Sequence, residues 1–190
     1  MSAPELLVRP KRADARRNYD QLIAAAREAF TEKDRSASLE DIARRAGVGI
    51  GTLYRHFPTR AALIEAVYVE EVEALARSAD DVAGLEPWDA LINWLHGFVG
   101  YIATKQALAD ELFAIADQNA DVFSNCRAAL HAAGQPLLDA AKQAGEVRAD
   151  AEIEDVIRMV GAIAKMPAAE PAEVERVLDV ALDGLRARGV

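Results

Sequence analysis

Cysteine is nearly missing from this chain. The one thiol, Cys126, has no partner for an internal disulfide, and its ordinary role is that of a small buried hydrophobe. No apolar run approaches the length that spans a bilayer, and the opening stretch MSAPELLVRPKRADARR has no long apolar segment of a secretory kind. A cytoplasmic protein with no membrane partner is the expectation. The three histidines, His56, His96 and His131, are far apart and show neither His-x-x-x-His nor Glu-x-x-His spacing, so no metal is expected. P-loop, Gly-x-Ser-x-Gly and Gly-x-Gly-x-x-Gly motifs are absent, and so is any cysteine-centred catalytic motif. No cofactor is expected. Strand alternation, repeats and low-complexity segments are missing too.

What is present is helix-forming material. Alanine, leucine, glutamate and arginine dominate, and an apolar share of 52% is enough for a packed core. A length of 190 residues holds one small domain and one larger one. The net charge of −9 is unevenly spread. Residues 1–62 carry 12 Lys/Arg against 8 Asp/Glu, or +4; residues 63–190 carry 10 against 23, or −13. A basic head on an acidic body orients a molecule toward phosphates. Positive charge gathers at Pro10-Lys11-Arg12 and at Arg16 and Arg17, as a solvated run or as an arm that touches phosphate.

Residues 38–60, SLEDIARRAGVGIGTLYRHFPTR, carry the most information. Ser38 and Asp41 have the spacing of a capping box. Leu39, Ile42, Ala43 and Ala46 give one apolar stripe. Gly47 suits the left-handed end of that helix. A second short helix, Gly49 to His56, follows with Leu53 as its inward anchor. Phe57 is an apolar stop, Pro58 cannot continue the helix, and Thr59 can cap the next one. Two short helices about a tight turn present the second to a DNA major groove. Upstream, a helix from about Ala13 to Lys33 places Tyr19, Leu22, Ile23, Ala26 and Phe30 on one face. That face meets Leu39, Ile42, Leu53 and Phe57. A fourth helix from Thr59 to about Ala79 completes this small core with Leu63, Ile64 and Val67, then runs on into the acidic part as a shared mechanical link.

The turn at Ala46-Gly47-Val48, the block Thr52-Leu53-Tyr54-x-His56-Phe57 and the basic Arg60 resemble the TetR family of transcriptional repressors. The specific likeness covers roughly residues 14 to 65; the remainder is similar only in being helical and of suitable length. The resemblance implies an all-α fold. Residues 1–62 would form a three-helix DNA-binding domain with a helix-turn-helix, and residues 63–190 a helical ligand-binding and dimerisation domain. It implies that Thr52, Tyr54, His56 and Arg60 contact phosphates, with Ser38 able to do so while it caps. Gly49, Ile50 and Gly51 point into the groove. None has a long polar side chain, so Ile50 against a thymine methyl and close backbone approach remain. Arg44, Arg45 or Arg55 could supply base hydrogen bonds. The alternatives are core packing for Tyr54 and a helix-terminal role for His56.

The acidic part reads as helices from Trp88 to Gln106, Leu108 to Asn119, Asp121 to Gly145, Glu152 to Met166 and Pro171 to Arg188. Pro136 should kink or split the third of these. Trp94, Phe98 and Tyr101 share one face, with Gly97 and Gly100 on another. Phe113, Phe123 and His131 can join them in the wall of a pocket for a small-molecule effector, or the stripe is simply core. The last two helices carry the stripes Ile153, Val156, Ile157, Val160 and Val174, Leu178, Leu182, Leu185. Each could face its own core. The family pattern makes them a homodimer interface, which sets two reading heads on a palindromic double-stranded DNA operator. The function expected is a repressor released by a ligand. A helix-turn-helix regulator that senses no small molecule and a small helical enzyme are the alternatives.

Overall fold

The computed structural model describes residues 6, 9–32, 37–82, 84–109, 112–113, 120–167 and 170–187. Among them are eight helices: α1 (Ala13–Thr31), α2 (Leu39–Arg45), α3 (Ile50–His56), α4 (Arg60–Asp81), α5 (Pro87–Ala107), α6 (Ala120–Gln143), α7 (Ile153–Ala164) and α8 (Pro171–Asp183). No strand occurs among the described residues; an isolated antiparallel bridge pairs Val147 with Arg186. The helix expected from Leu108 to Asn119 lies largely outside the described residues. Two compact units are present, one joining Glu5–Glu71 with Thr104–Ser124, the other joining Val72–Ala103 with Asn125–Val190.

The first unit is built as its apolar spacing dictates. Tyr19, Leu22, Ile23, Ala26 and Phe30 of α1 are buried with Ile42, Leu53, Phe57, Leu63, Ile64 and Val67. Each large side chain withdrawn from water contributes about 1.5–3 kcal/mol. The α1 helix stops at Thr31, because Glu32 turns to extended backbone (φ −63, ψ 148). Ser38 caps α2 in a reciprocal capping box with Asp41. At its other end Gly47 takes φ 69. The Gly47 N–H donates to Arg44 O at 3.1 Å and the Val48 N–H to Ala43 O at 3.0 Å, which closes a Schellman turn. Thr59 Oγ1 accepts from Ala62 N–H at 3.1 Å and caps α4.

In the second unit, small residues let helices approach. A Cβ on Gly134 of α6 would lie 2.6 Å from the Trp94 ring of α5, and one on Gly97 would lie 3.3 Å from Leu75. A Cβ on Gly161 of α7 would lie 3.8 Å from the Phe98 ring. Pro136 does not split α6, which runs unbroken to Gln143. Pro136 and Ala132, the residue whose carbonyl loses its partner, are both exposed, so water can satisfy that oxygen. The last helix ends at Asp183 rather than Arg188, since the chain leaves it to form the bridge: Arg148 N–H donates to Leu185 O and Ala187 N–H to Glu146 O, each at 2.9 Å.

The two apolar stripes of the final helices sit differently from the interface expectation. Ile153, Val156, Val160, Leu178, Leu182 and Leu185 are buried within a single chain. Their surface is already covered by their own unit, so they have little left to bury against a partner. Ile157 and Val174 are half-buried. The exposed large apolar side chains of α8 among the described residues are Val177 and Val180, the latter 76% exposed.

Candidate nucleic-acid interface

The α3 helix is short and strongly two-sided. Gly49 precedes it in extended backbone (φ −71, ψ 146), and its carbonyl accepts from Thr52 N–H at 2.8 Å. Leu53 is fully buried, and Phe57 closes the helix from inside. On its uncovered side Ile50 is 36% and Tyr54 46% exposed, one turn apart. Gly49, Gly51 and Arg55 are exposed as well, while Thr52 and His56 are half-buried. Nothing lies within 4 Å of a Cβ built on Gly49 or Gly51. An exposed helix face with two large apolar groups and no covering side chain is suited to a partner.

The frame behind α3 is fixed by packing and charge. Tyr19 of α1 stacks 5.2 Å from Phe57 and meets His56 edge-on at 6.0 Å. Tyr19 was visible in the sequence as a core residue, not as the support of His56. Arg45 of α2 holds Glu32 with two hydrogen bonds, Nη2 to Oε2 at 2.9 Å among them, and this lowers the Glu32 pKa. Asp41 is also held below its ordinary value, first by the Ser38 hydrogen bonds and then by Arg44.

Two expected phosphate donors also have partners within the chain. Arg60 Nη1 donates to Ala37 O at 2.8 Å, and its guanidinium lies 4.9 Å over the Phe30 ring. It braces the segment that leads into α2. Ser38 Oγ donates to Asp41 Oδ2 at 2.9 Å while it accepts from Asp41 N–H at 3.1 Å. Its one proton therefore serves Asp41, and phosphate oxygens only accept. Arg44 and Arg45 are tied to Asp41 and Glu32, which leaves Arg55 as the exposed arginine on α3. Arg16 and Arg17 are exposed on α1, with Arg17 3.9 Å from Asp14.

The residues expected to line a pocket are only partly gathered. Trp94, Phe98 and Tyr101 are buried, with ring centroids 6.1 Å and 5.4 Å apart in turn. The Trp94 Nε1–H donates to Leu75 O at 3.0 Å. His131 Nε2 lies 2.6 Å from Glu154 Oε2. Phe123 stacks 5.3 Å from Tyr68, whose ring also carries Lys105 Nζ at 5.5 Å. Phe113 is 85% exposed. Sequence reading missed Tyr68, Lys105 and the buried Glu73, because no helical period announces such contacts.

Fold and site together define a helix-turn-helix DNA-binding regulator with a helical second part. Residues 22–67 match the family model for bacterial regulatory proteins of the tetR family, and residues 86–187 match that of the transcriptional regulator SbtR-like, C-terminal domain. The chain belongs to the TetR family of transcriptional regulators. It is similar to the TetR regulator SCO0520 of Streptomyces coelicolor, 42% identical with a TM-score of 0.80, covering 90% of this chain and 99% of that one. A TetR regulatory protein of Mycobacterium vanbaalenii is 35% identical with a TM-score of 0.73, covering 93% and 99%. The HTH-type transcriptional regulator UidR of Escherichia coli (strain K12) is 31% identical over 111 residues, 57% of each chain. The matched segment thus spans little more than half the length of that relative. No helix among the described residues is long and apolar enough to cross a membrane.

Proposed function

We propose that this chain is a cytoplasmic repressor that grips a palindromic DNA operator as a homodimer and releases it on binding a small molecule. The observation that carries the reading is the uncovered face of α3, with Ile50, Tyr54 and Arg55 outward and Leu53 inward. Thr52, Tyr54 and His56 offer hydrogen-bond donors to phosphates, helped by Arg16 and Arg17. Gly49 and Gly51 let backbone approach the bases, and Ile50 suits a thymine methyl. We place the working division near residue 62, with reading head before it and sensing and pairing part after it. Exposed Val177 and Val180 of α8, with half-buried Val174 on the same helix and half-buried Ile157 on α7, support pairing through α7 and α8.

The test is fluorescence anisotropy with DNA from upstream of its own gene, at rising salt and then with a metabolite panel. A specific complex that weakens steeply with salt and dissolves with one metabolite supports the reading. The absence of any salt-sensitive complex overturns it. A ligand-blind regulator is the second reading, favoured by the mutual packing of Trp94, Phe98 and Tyr101 as ordinary core. It expects a complex that no metabolite dissolves.

A further inference from the structure

We propose that Glu70 of α4 is a positioning residue for DNA binding: it pins Arg9 and thereby holds the basic arm, Lys11 and Arg12, in place for the phosphate backbone. The inference rests on the DNA-binding reading above and assigns a device that it does not contain. Arg9 Nε donates to Glu70 Oε1 at 2.8 Å, and Nη2 reaches the same oxygen at 2.6 Å. The two side chains are only 10% and 14% exposed. Arginine so deeply covered, ahead of α1, is held there by its partner, since an uncompensated guanidinium would return to water. The adjacent Glu71 forms an ion pair with Arg27 of α1, whose side chain is more exposed than that of Arg9. Consecutive carboxylates of α4 thus tie down the arm and the helix that follows it.

The arm is short. Arg9 is fixed at one end and α1 begins at Ala13 at the other, with Pro10 restricting the backbone between them. Lys11 and Arg12 lie on this bridge, and both are exposed. Arg12 stands at the N-cap position of α1 in extended backbone (φ −80, ψ 135), and its carbonyl accepts from Arg16 N–H at 2.9 Å. Arg16 stands three residues before Tyr19, on the face that meets His56 of α3 and Phe57 just after it. Arg12 and Arg16 thus follow one another by a turn on the approach to Tyr19, and Lys11 stands beside them in sequence. Cations held in advance lose less freedom when they meet phosphate than cations on a loose tail.

The experiment compares wild type, Glu70→Gln and Arg9→Met on a duplex that the wild-type chain selects from random-sequence DNA. Affinity is measured across salt. Both variants should bind about five- to ten-fold more weakly near 0.15 M salt, with the slope of log K against log salt shallower by about 1–2, one for each phosphate no longer neutralised. In a Lys11→Gln/Arg12→Gln background, Glu70→Gln should have no further effect. Arg9→Met lies outside every helix and keeps the test open if Glu70→Gln fails to fold. A lower melting temperature with the wild-type salt slope would mean a structural ion pair only, and so would additive effects in the double background; either overturns the clasp alone. A wild-type chain that selects no duplex overturns the DNA reading and the clasp with it.

Discussion

At the scale of single residues, the turn between α2 and α3 sets the strictest demand. Gly47 sits at φ 69, where any side chain meets its own backbone. Gly47→Ala should cost about 1–2 kcal/mol in urea unfolding, although open space surrounds the site. Gly51 has equal space and an ordinary helical backbone. Gly51→Ala should leave the unfolding midpoint unchanged or raise it, yet weaken DNA binding by about ten-fold if backbone approaches the bases there. Equal affinity would remove Gly51 from the interface. Acid sensitivity also belongs to this scale. Asp41 and Glu32 are held below their ordinary values near 3.8 and 4.5 by Ser38 and Arg45. A carboxylate with a lowered native pKa adds stability that is complete above the ordinary value and is lost as pH falls through the native one. Unfolding free energy should therefore drop below about pH 4, and less steeply in Asp41→Asn than in wild type.

At the scale of elements, α3 divides into two kinds of residue that respond oppositely. Leu53→Ala removes the buried anchor and should destabilise by about 2–5 kcal/mol. Ile50→Ala with Tyr54→Ala removes only exposed groups, so circular dichroism melting should be unchanged within about 0.5 kcal/mol while DNA affinity collapses. How much of each element was legible follows from range. Helix starts and stops were readable because Ser38 with Asp41, Gly47, and Thr59 with Ala62 act within a few residues of themselves. The partner of Arg60, the carbonyl of Ala37 twenty-three residues away, was not. Its charge suggested phosphate, and only the fold reveals that the guanidinium braces the approach to α2. The stripes of α7 and α8 follow the same logic. Period shows which residues share a face, not whether that face meets its own unit or a second chain.

At the scale of the whole molecule, the charge division and the helix-turn-helix were plain in the sequence, whereas the pairing of the aromatic residues was not. Trp94, Phe98 and Tyr101 pack on one another, His131 pairs with Glu154, and Phe123 stacks on Tyr68. A list of aromatic residues carries no such pairing. If the dimer forms through the outer side of α8, Val180→Glu should shift light scattering from dimer to monomer, because the charge would be buried at the seam. The same variant should weaken binding to a two-site duplex far more than to a half-site. Equal mass for variant and wild type would move the interface elsewhere.

The central claim is that the outward side of α3 reads DNA, once per subunit of a pair. A hydroxyl-radical footprint on the duplex selected by the wild-type chain tests it most directly. The account predicts two protected half-sites related by two-fold symmetry, about 34–36 Å apart along one face of the helix. Protection should be erased together at both halves by Ile50→Ala with Tyr54→Ala. A lone asymmetric footprint, or one that survives the loss of those two side chains, would contradict it.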